Sequence, residues 1–154
     1  MITIKWFLPD LKATATAGAK LSKILKPGCV IMMDGDLGSG KTTLCKNICA
    51  SLGVPINLVT SPTYTMVNMY SYNSGVIHHL DLYRLEDQNE LEDFDFEDLI
   101  AVDGITLVEW PKLLRSLVGT QGVLNIKINY VSDGSRELIM SSHDSLYELS
   151  LIHI

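Results

Sequence analysis

The sequence predicts a three-layer α/β domain built around a central mixed, mainly parallel sheet. Three observations lead to this fold class. A short apolar run is followed by a glycine-rich loop and a helical pattern, which is the order of a strand-loop-helix unit. A second apolar run of the buried-strand type lies far along the chain. Two pairs of segments have hairpin signals, which add antiparallel strands to the sheet. With 154 residues and no internal repeat or linker, we expect one domain over residues 1–154.

The N-terminal elements are a strand near residues 2–6, a helix and a second strand. Asp10 can cap the helix through a side-chain oxygen. Leu11–Lys26 carries small and apolar residues near helical spacing, and Pro27-Gly28 must end the helix. Cys29–Met33 is a continuous apolar run, which is typical of a buried parallel strand.

The middle of the chain holds a helix and a hairpin. A helical pattern covers Lys41–Leu52 and stops at Gly53, a favourable residue just past a helix end. Further on, the runs Met66–Tyr72 and Val76–Tyr83 flank the turn-forming residues 73–75. This arrangement predicts two antiparallel strands.

The C-terminal half holds five predicted elements. They are one short helix in an acidic stretch, a buried strand at Ile105–Val108, a helix at Leu113–Val118, an alternating strand at Leu124–Tyr130 and its partner near Arg136–Met140. Asp133-Gly134 supplies the turn between the last two strands. The tail, residues 143–154, is assigned to no element.

The formal net charge of −6 comes from one acidic stretch. Residues 85–111 contain ten carboxylates and no lysine or arginine, and basic residues are in excess elsewhere. Because affinity for nucleic-acid phosphates comes mainly from lysine and arginine, we expect no strong direct binding to nucleic acid. The acidic stretch is either a solvated face or a docking surface for a basic partner.

Composition also gives an expectation for the cellular compartment and for the state of the cysteines. The chain is 47% hydrophobic and 19% charged, yet Asp, Lys or Gly interrupts every apolar stretch before it could span a membrane. The first residues lack the features of a signal peptide, so we expect a cytoplasmic protein. Cys29, Cys45 and Cys49 are odd in number and have no partners at zinc-site spacing. We expect them to be small buried residues.

The strongest functional signal is the segment 35–42, which matches the phosphate-binding loop G-x-x-x-x-G-K-[ST], or Walker A motif. Its glycines let backbone N–H groups turn towards a phosphate, and the next helix points its positive end at the same anion. Lys41 would reach the β- and γ-phosphates, Thr42 would bring a hydroxyl to Mg²⁺, and Thr43 would lie near the α-phosphate. The predicted nucleotide-binding residues are Gly35, Asp36, Leu37, Gly38, Ser39, Gly40, Lys41, Thr42 and Thr43. The sequence therefore predicts a P-loop NTPase-like domain.

Two acids at the ends of apolar segments are candidates for metal and water chemistry. Asp81 and Glu109 are each placed to hold Mg²⁺, through water or directly, or to orient an attacking water. The alternatives are a surface acid in the hairpin for Asp81 and a solvated strand end for Glu109.

Other polar and aromatic residues near these motifs have two readings each. Arg84 could stabilise phosphate charge or pair with the acidic stretch, and Trp110 could lie in the core, at an interface or beside the nucleotide. The segment 61–65 could close over the γ-phosphate or be an ordinary connection. His78 and His79 are expected to be structural.

Taken together, the motifs resemble the bacterial TsaE family. They are Gly-Asp-Leu-Gly-Ser-Gly-Lys-Thr-Thr at 35–43, Ser-Pro-Thr-Tyr at 61–64, His-Leu-Asp-Leu-Tyr-Arg-Leu at 79–85 and Glu-Trp-Pro at 109–111. The phosphate loop alone is shared by many proteins, whereas the three later motifs at these separations are far more specific. The resemblance runs from about residue 11 to residue 140.

The resemblance implies a small Mg²⁺-dependent ATPase required for threonylcarbamoyl modification of the adenosine next to the anticodon of tRNA. Members of the family act with TsaD, which transfers the group to tRNA, and with TsaB. Carried onto this chain, Lys41 and Glu109 are the catalytic residues, and Thr42, Asp81 and Glu109 form the metal set. ATP and Mg²⁺ are the implied cofactors, and TsaD-like and TsaB-like proteins are the implied partners.

Two other functions stay open on the residues alone. The first is a small-molecule kinase of the P-loop class, although such kinases usually place several arginines over the phosphates and this chain has three in total, Arg84, Arg115 and Arg136. The second is a non-catalytic, ATP-gated binding module. A GTPase switch is disfavoured because the guanine-reading motif Asn-Lys-x-Asp is absent from the sequence.

Overall fold

Within the described residues, seven strands form one sheet around which the helices are arranged. The computed structural model describes residues 1–153, apart from the side chains of residues 148, 149, 152 and 153. The strands are β1 (Ile2–Leu8), β2 (Val30–Asp34), β3 (Val67–Tyr72), β4 (Gly75–Asp81), β5 (Ile105–Glu109), β6 (Val123–Tyr130) and β7 (Arg136–Ser142). The helices are α1 (Leu11–Ser22), α2 (Lys41–Ser51), α3 (Gln88–Glu92), α4 (Phe96–Leu99) and α5 (Ser145–His153), with a short 3₁₀ helix at Ile56–Leu58.

The sheet is mixed, with a parallel centre. The strand order is β1-β7-β6-β2-β5-β4-β3. Strand β2 runs parallel to both β5 and β6, and β4 runs parallel to β5. The pairs β1–β7, β6–β7 and β3–β4 are antiparallel. The predicted mixed, mainly parallel sheet of a P-loop NTPase-like fold is therefore confirmed, including the hairpin β3–β4.

Two hydrophobic clusters lie on opposite faces of the sheet and give the fold its three layers. On one face, Leu21 of α1, Leu44 of α2 and Tyr147 of α5 join the same buried cluster as alternate strand residues. On the other face, Leu91 of α3 and Leu99 of α4 are buried in the second cluster. The alternation of strand side chains thus decides which residues meet the helix that follows the glycine-rich loop.

The predicted cap of α1 is present, but the helix is shorter than its pattern. The Asp10 side chain accepts a hydrogen bond from the Ala13 N–H at 2.8 Å. The helix ends at Ser22 rather than Lys26, since the next N–H groups bond three residues back and tighten the turn, Ile24 to the Leu21 carbonyl at 3.0 Å.

Two predictions for the second half need correction. The acidic stretch holds two short helices rather than one, and each begins at its own aspartate cap, Asp87 for α3 and Asp95 for α4. Leu113–Val118 forms a series of turns rather than a helix, because its N–H groups bond at mixed spacings, Arg115 to the Pro111 carbonyl at 2.9 Å and Leu117 to the Leu114 carbonyl at 2.9 Å. The tail, residues 143–154, which the sequence left unassigned, contains α5 (Ser145–His153).

The described residues include no helix whose length and apolar character would suffice to cross a membrane.

Gly104 directly precedes β5 and lies where its backbone comes very close to the start of β4. A Cβ at this position would lie 1.9 Å from the Val76 carbonyl oxygen. We expect Gly104→Ala to lower the free energy of unfolding by about 1–3 kcal/mol, because the two strands must move apart. Urea denaturation measures this, with Gly119→Ala as the control, since a Cβ there meets no atom within 4 Å. Equal denaturation midpoints for the two variants would contradict the expectation.

Candidate active site

The glycine-rich loop joins the end of β2 to the start of α2 at the parallel centre of the sheet. Gly38 and Gly40 have φ angles of 76° and 110°, which side chains with a Cβ rarely adopt. Gly40 directly precedes the first turn of α2, where backbone N–H groups point towards the loop. The loop therefore has the backbone conformation that an anion cradle requires.

Lys41 lies almost fully inside this loop. Its Nζ donates hydrogen bonds to the carbonyl oxygens of Gly35 at 2.5 Å and Asp36 at 2.9 Å, and it sits 4.0 Å from the centre of the Trp110 ring. Burial lowers the pKa of Lys41, and nearby carboxylates, first among them Glu109, oppose this effect. A buried ammonium whose lost hydration is only partly offset by nearby carboxylates is stabilised by an additional anion beside it.

Arg136 fastens the loop to the neighbouring strand β7. Its Nε donates to the Ser39 carbonyl oxygen at 2.8 Å, and its Nη2 donates to the Gly38 carbonyl oxygen at 3.3 Å. The guanidinium also lies 4.6 Å from the Tyr130 ring centre. The sequence assigns no role to Arg136, because 97 residues separate it from Ser39.

Asp81 and Glu109 meet side by side at the carboxyl ends of their strands. They are register partners in the parallel pair β4–β5, and both are buried, with 4% and 2% of their surface exposed. The side chain of Glu109 lies against α2, where its Oε1 accepts a hydrogen bond from Thr42 Oγ1 at 2.8 Å. The structure therefore gathers three of the predicted residues, Thr42, Asp81 and Glu109, at the head of α2.

The segment 61–65 lies against Asp81. Thr63 Oγ1 donates to Asp81 Oδ2 at 2.8 Å, and the Tyr83 N–H donates to Asp81 Oδ1 at 3.0 Å. Ser61 Oγ lies 2.8 Å from Thr63 Oγ1. This segment thus forms one wall of the site.

These elements enclose a cleft of about 230 Å³. Its lining residues are Leu37, Gly38, Gly40, Lys41, Thr42, Thr43, Ser61, Thr63, Asp81, Glu109 and Trp110. Of the other predicted loop residues, Gly35 and Asp36 contact Lys41 through their carbonyl groups, and Ser39 is buried beneath the loop. The hydroxyl of Thr42 and the carboxylates of Asp81 and Glu109 form an all-oxygen donor set, which fits Mg²⁺.

Two further residues belong to the site: His79, which the sequence predicts to be structural, and Trp110, for which a position beside the nucleotide is one of the predictions. His79 is fully buried, and its Nε2 lies 2.7 Å from Glu109 Oε2. Trp110 adopts a φ of 57°, and its ring packs against Tyr83 and covers Lys41. His79 and Asp81 are two residues apart on β4, so their side chains lie on the same face of the sheet. This spacing could have indicated that His79 lies near the site.

The arginines stand outside the cleft lining. Arg84 lies 5.2 Å from the ring centre of the exposed Tyr64, Arg115 pairs with Asp34, and Arg136 holds the back of the loop. The cleft as described therefore contains one cation, Lys41, facing two carboxylates.

Cys45 of α2 lies close to the His79–Glu109 pair. One ligand atom from each of the three residues lies within 4.8 Å of the others. Burial, reinforced by Glu109, raises the pKa of the Cys45 thiol well above its ordinary value. All three cysteines are free and buried, as predicted.

Comparison with known proteins identifies relatives of this chain. The model of the family described as "Threonylcarbamoyl adenosine biosynthesis protein TsaE" matches residues 8–138. Proteins named tRNA threonylcarbamoyladenosine biosynthesis protein TsaE include one from Bacillus subtilis (strain 168), 34% identical over 97% of this chain and 92% of the relative. Another, from Nostoc sp. (strain PCC 7120 / SAG 25.82 / UTEX 2576), is 36% identical over 86% of this chain and 82% of the relative.

A solved structure shares the fold. The crystal structure of Bacillus subtilis YdiB superposes with a TM-score of 0.71 and 29% sequence identity, covering 98% of this chain and 93% of that chain. The family match covers the glycine-rich loop, both site carboxylates and His79. The resemblance carried by the four motifs is confirmed, and the chain belongs to the TsaE family.

Proposed function

We propose that this chain is a Mg²⁺-dependent ATPase that supports formation of threonylcarbamoyladenosine in tRNA. The observation that carries the proposal is the contact between Thr42, at the head of the loop helix, and Glu109, at the end of β5. It places a carboxylate directly beside the loop that would hold the phosphates. That pairing is what phosphoryl hydrolysis needs: a place for the phosphate tail and a group that orients water.

Binding would rest on the loop and on Lys41. Backbone N–H groups of residues 35–40 and of the first turn of α2 would surround the phosphates. Lys41 is already held at the loop and would move its ammonium from carbonyl partners onto phosphate oxygens. Because it is nearly buried, its contact with a phosphate would be little screened by solvent.

Thr42, Asp81 and Glu109 would hold Mg²⁺ through oxygen atoms. The ion, when bound, supplies positive charge that neutralises the phosphate oxygens. Thr63 and the Tyr83 N–H hold both oxygens of Asp81 and so fix its direction. The chain thus presents carboxylates that are oriented before nucleotide arrives.

Glu109 would orient the water that attacks the γ-phosphorus. It is buried and held by neighbours, so it can accept a hydrogen bond from that water in a fixed direction. Water attack breaks the bond between the γ-phosphorus and the bridging oxygen, which releases ADP and inorganic phosphate.

We further propose that the hydrolysis serves an assembly with TsaD-like and TsaB-like proteins, acting on the adenosine next to the tRNA anticodon. The relatives' names associate them with tRNA threonylcarbamoyladenosine biosynthesis. The net charge of −6 is consistent with a subunit that hydrolyses ATP for the assembly while its partners bind the tRNA.

Phosphate release from ATP and Mg²⁺ tests the proposal, measured with the purified chain alone and with the TsaD-like and TsaB-like proteins of the same organism. We expect release that depends on Mg²⁺ and that changes when the partners are added. No release under any condition, together with ATP-dependent complex formation, would instead favour the non-catalytic binding module. Transfer of the γ-phosphoryl group to a small metabolite would favour the kinase.

A further inference from the structure

His79 is a fully buried polar residue for which the hydrolysis described above has no use. A ring nitrogen of His79 lies within 4.8 Å of the sulfur of Cys45 on α2, and its ring centre lies 6.3 Å from that of Tyr70. Nε2 lies 2.7 Å from Glu109 Oε2, whereas Nδ1 has no hydrogen-bond partner among the described residues. Burial of a polar ring is costly unless a specific contact repays it, and the contact here is to Glu109.

Glu109 is held at both carboxylate oxygens. Oε1 accepts from Thr42, which lines the cleft, and Oε2 meets His79, which is not among the lining residues. The two contacts come from different elements, α2 and β4, so together they fix the plane of the carboxylate. We infer that Oε1, on the Thr42 side, is the oxygen nearer the cleft.

The surroundings of His79 select one tautomer of its ring. A proton on Nε2 is donated to the carboxylate and leaves Nδ1 as a bare acceptor. A proton on Nδ1 would place a buried donor without a partner and would set two lone pairs against each other at 2.7 Å. The geometry therefore favours a ring that carries a proton on Nε2.

We propose that His79 is a positioning residue for Glu109, donating from Nε2 to Oε2 so that Oε1 is aimed at the attacking water. This inference rests on the proposed ATPase function. Loss of the donor leaves Oε2 unpaired in an apolar layer and lets the carboxylate turn away from the cleft. Supporting residues behind a site group typically change activity by about 10- to 100-fold when removed.

The neighbouring His78 provides a matched control. It is on the same strand and is also buried, but it points to the opposite layer, where its Nδ1 lies 3.1 Å from the Leu99 carbonyl oxygen. A general effect of replacing a buried histidine in β4 should therefore appear at both positions. An effect transmitted through Glu109 should appear only at His79.

The test compares ATP hydrolysis by the full chain carrying His79→Gln, His79→Asn, His79→Leu or His78→Gln. The amide nitrogen of glutamine reaches the position of Nε2, whereas that of asparagine reaches only the position of Nδ1. We expect kcat to fall about 10- to 100-fold in His79→Asn and His79→Leu, with KM for ATP changed less than about threefold. His79→Gln should recover most of kcat, and His78→Gln should match the unmodified chain.

A combined variant separates this inference from the proposed function. In the Glu109→Gln background, His79→Asn should lower kcat no further, because its effect passes through the carboxylate. An additive loss, a loss shared by His78→Gln, or a normal kcat in His79→Asn would overturn the positioning role while leaving the ATPase proposal intact. Absent hydrolysis by the unmodified chain would overturn the proposed function itself.

Nitrogen-15 NMR of the unmodified chain keeps the inference testable if the variants fail to fold. We expect His79 to give the pattern of a ring protonated at Nε2, with its signals assigned through the backbone resonances of the chain. A ring protonated only at Nδ1, or an Nε2 signal unaffected by Glu109→Gln, would overturn it.

Discussion

Replacing Glu109 by glutamine should lower kcat for ATP hydrolysis by about 10²- to 10⁴-fold, the range typical of lost acid–base or water-orienting groups. Glutamine keeps the size of the side chain and can still accept from Thr42, but it removes the negative charge next to the attacking water. An interaction made mainly in the transition state affects kcat rather than substrate affinity. The affinity for ATP should therefore stay within about threefold of the unmodified value.

Steady-state phosphate release and equilibrium binding of ATP together measure this split between rate and affinity. Glu92→Gln is the matched control, because it makes the same change in charge at an exposed residue of α3. Equal losses of affinity and rate in Glu109→Gln would indicate that Glu109 holds the site together rather than orienting water. A normal rate would remove it from the mechanism.

Replacing Lys41 by alanine should weaken ATP binding by about 10- to 100-fold, since a hydrogen bond to a charged group contributes about 1.5–3 kcal/mol. Hydrolysis should fall at least as far, because the same ammonium would balance charge on the γ-phosphate during the reaction. The fold should persist. Lys41 is a buried cation whose pKa is lowered by its surroundings, so its removal relieves a solvation cost.

Lys46→Ala is the control for the Lys41 variant, since it makes the same substitution on the same helix away from the cleft lining. Binding is measured with ATP and Mg²⁺, and stability is measured by thermal unfolding. Unchanged affinity in Lys41→Ala would show that the loop does not use its lysine for phosphate. A cooperative melt at or above the unmodified temperature would confirm that any loss comes from the missing contact.

The central strands and α2 could be predicted from the sequence because each is marked by a pattern within its own residues. Val30–Met33 is buried on both faces and therefore reads as a continuous apolar run. The turns after Pro111 and the two helices of the acidic stretch were harder to predict. Such short segments are set by a few buried anchors, such as Leu91 and Leu114, more than by periodicity.

The candidate site shows the same division between local and distant information. The glycine-rich loop is contiguous, so residues 35–43 could be identified together. Glu109 is 67 residues from its partner Thr42, and only the strand order explains their contact. The contacts of His79 and Arg136 could not be found without the sheet register, which places His79 beside Leu107 and Asp81 beside Glu109 on the next strand.

Calorimetric titration of the purified chain with ATP in the presence of Mg²⁺ tests most directly whether the loop at 35–42 holds a triphosphate. The account predicts saturable binding of one ATP per chain, with weaker binding of AMP, and a loss of affinity in Lys41→Ala but not in Lys46→Ala. Absence of binding heat with ATP and with GTP over a range of temperatures would contradict it.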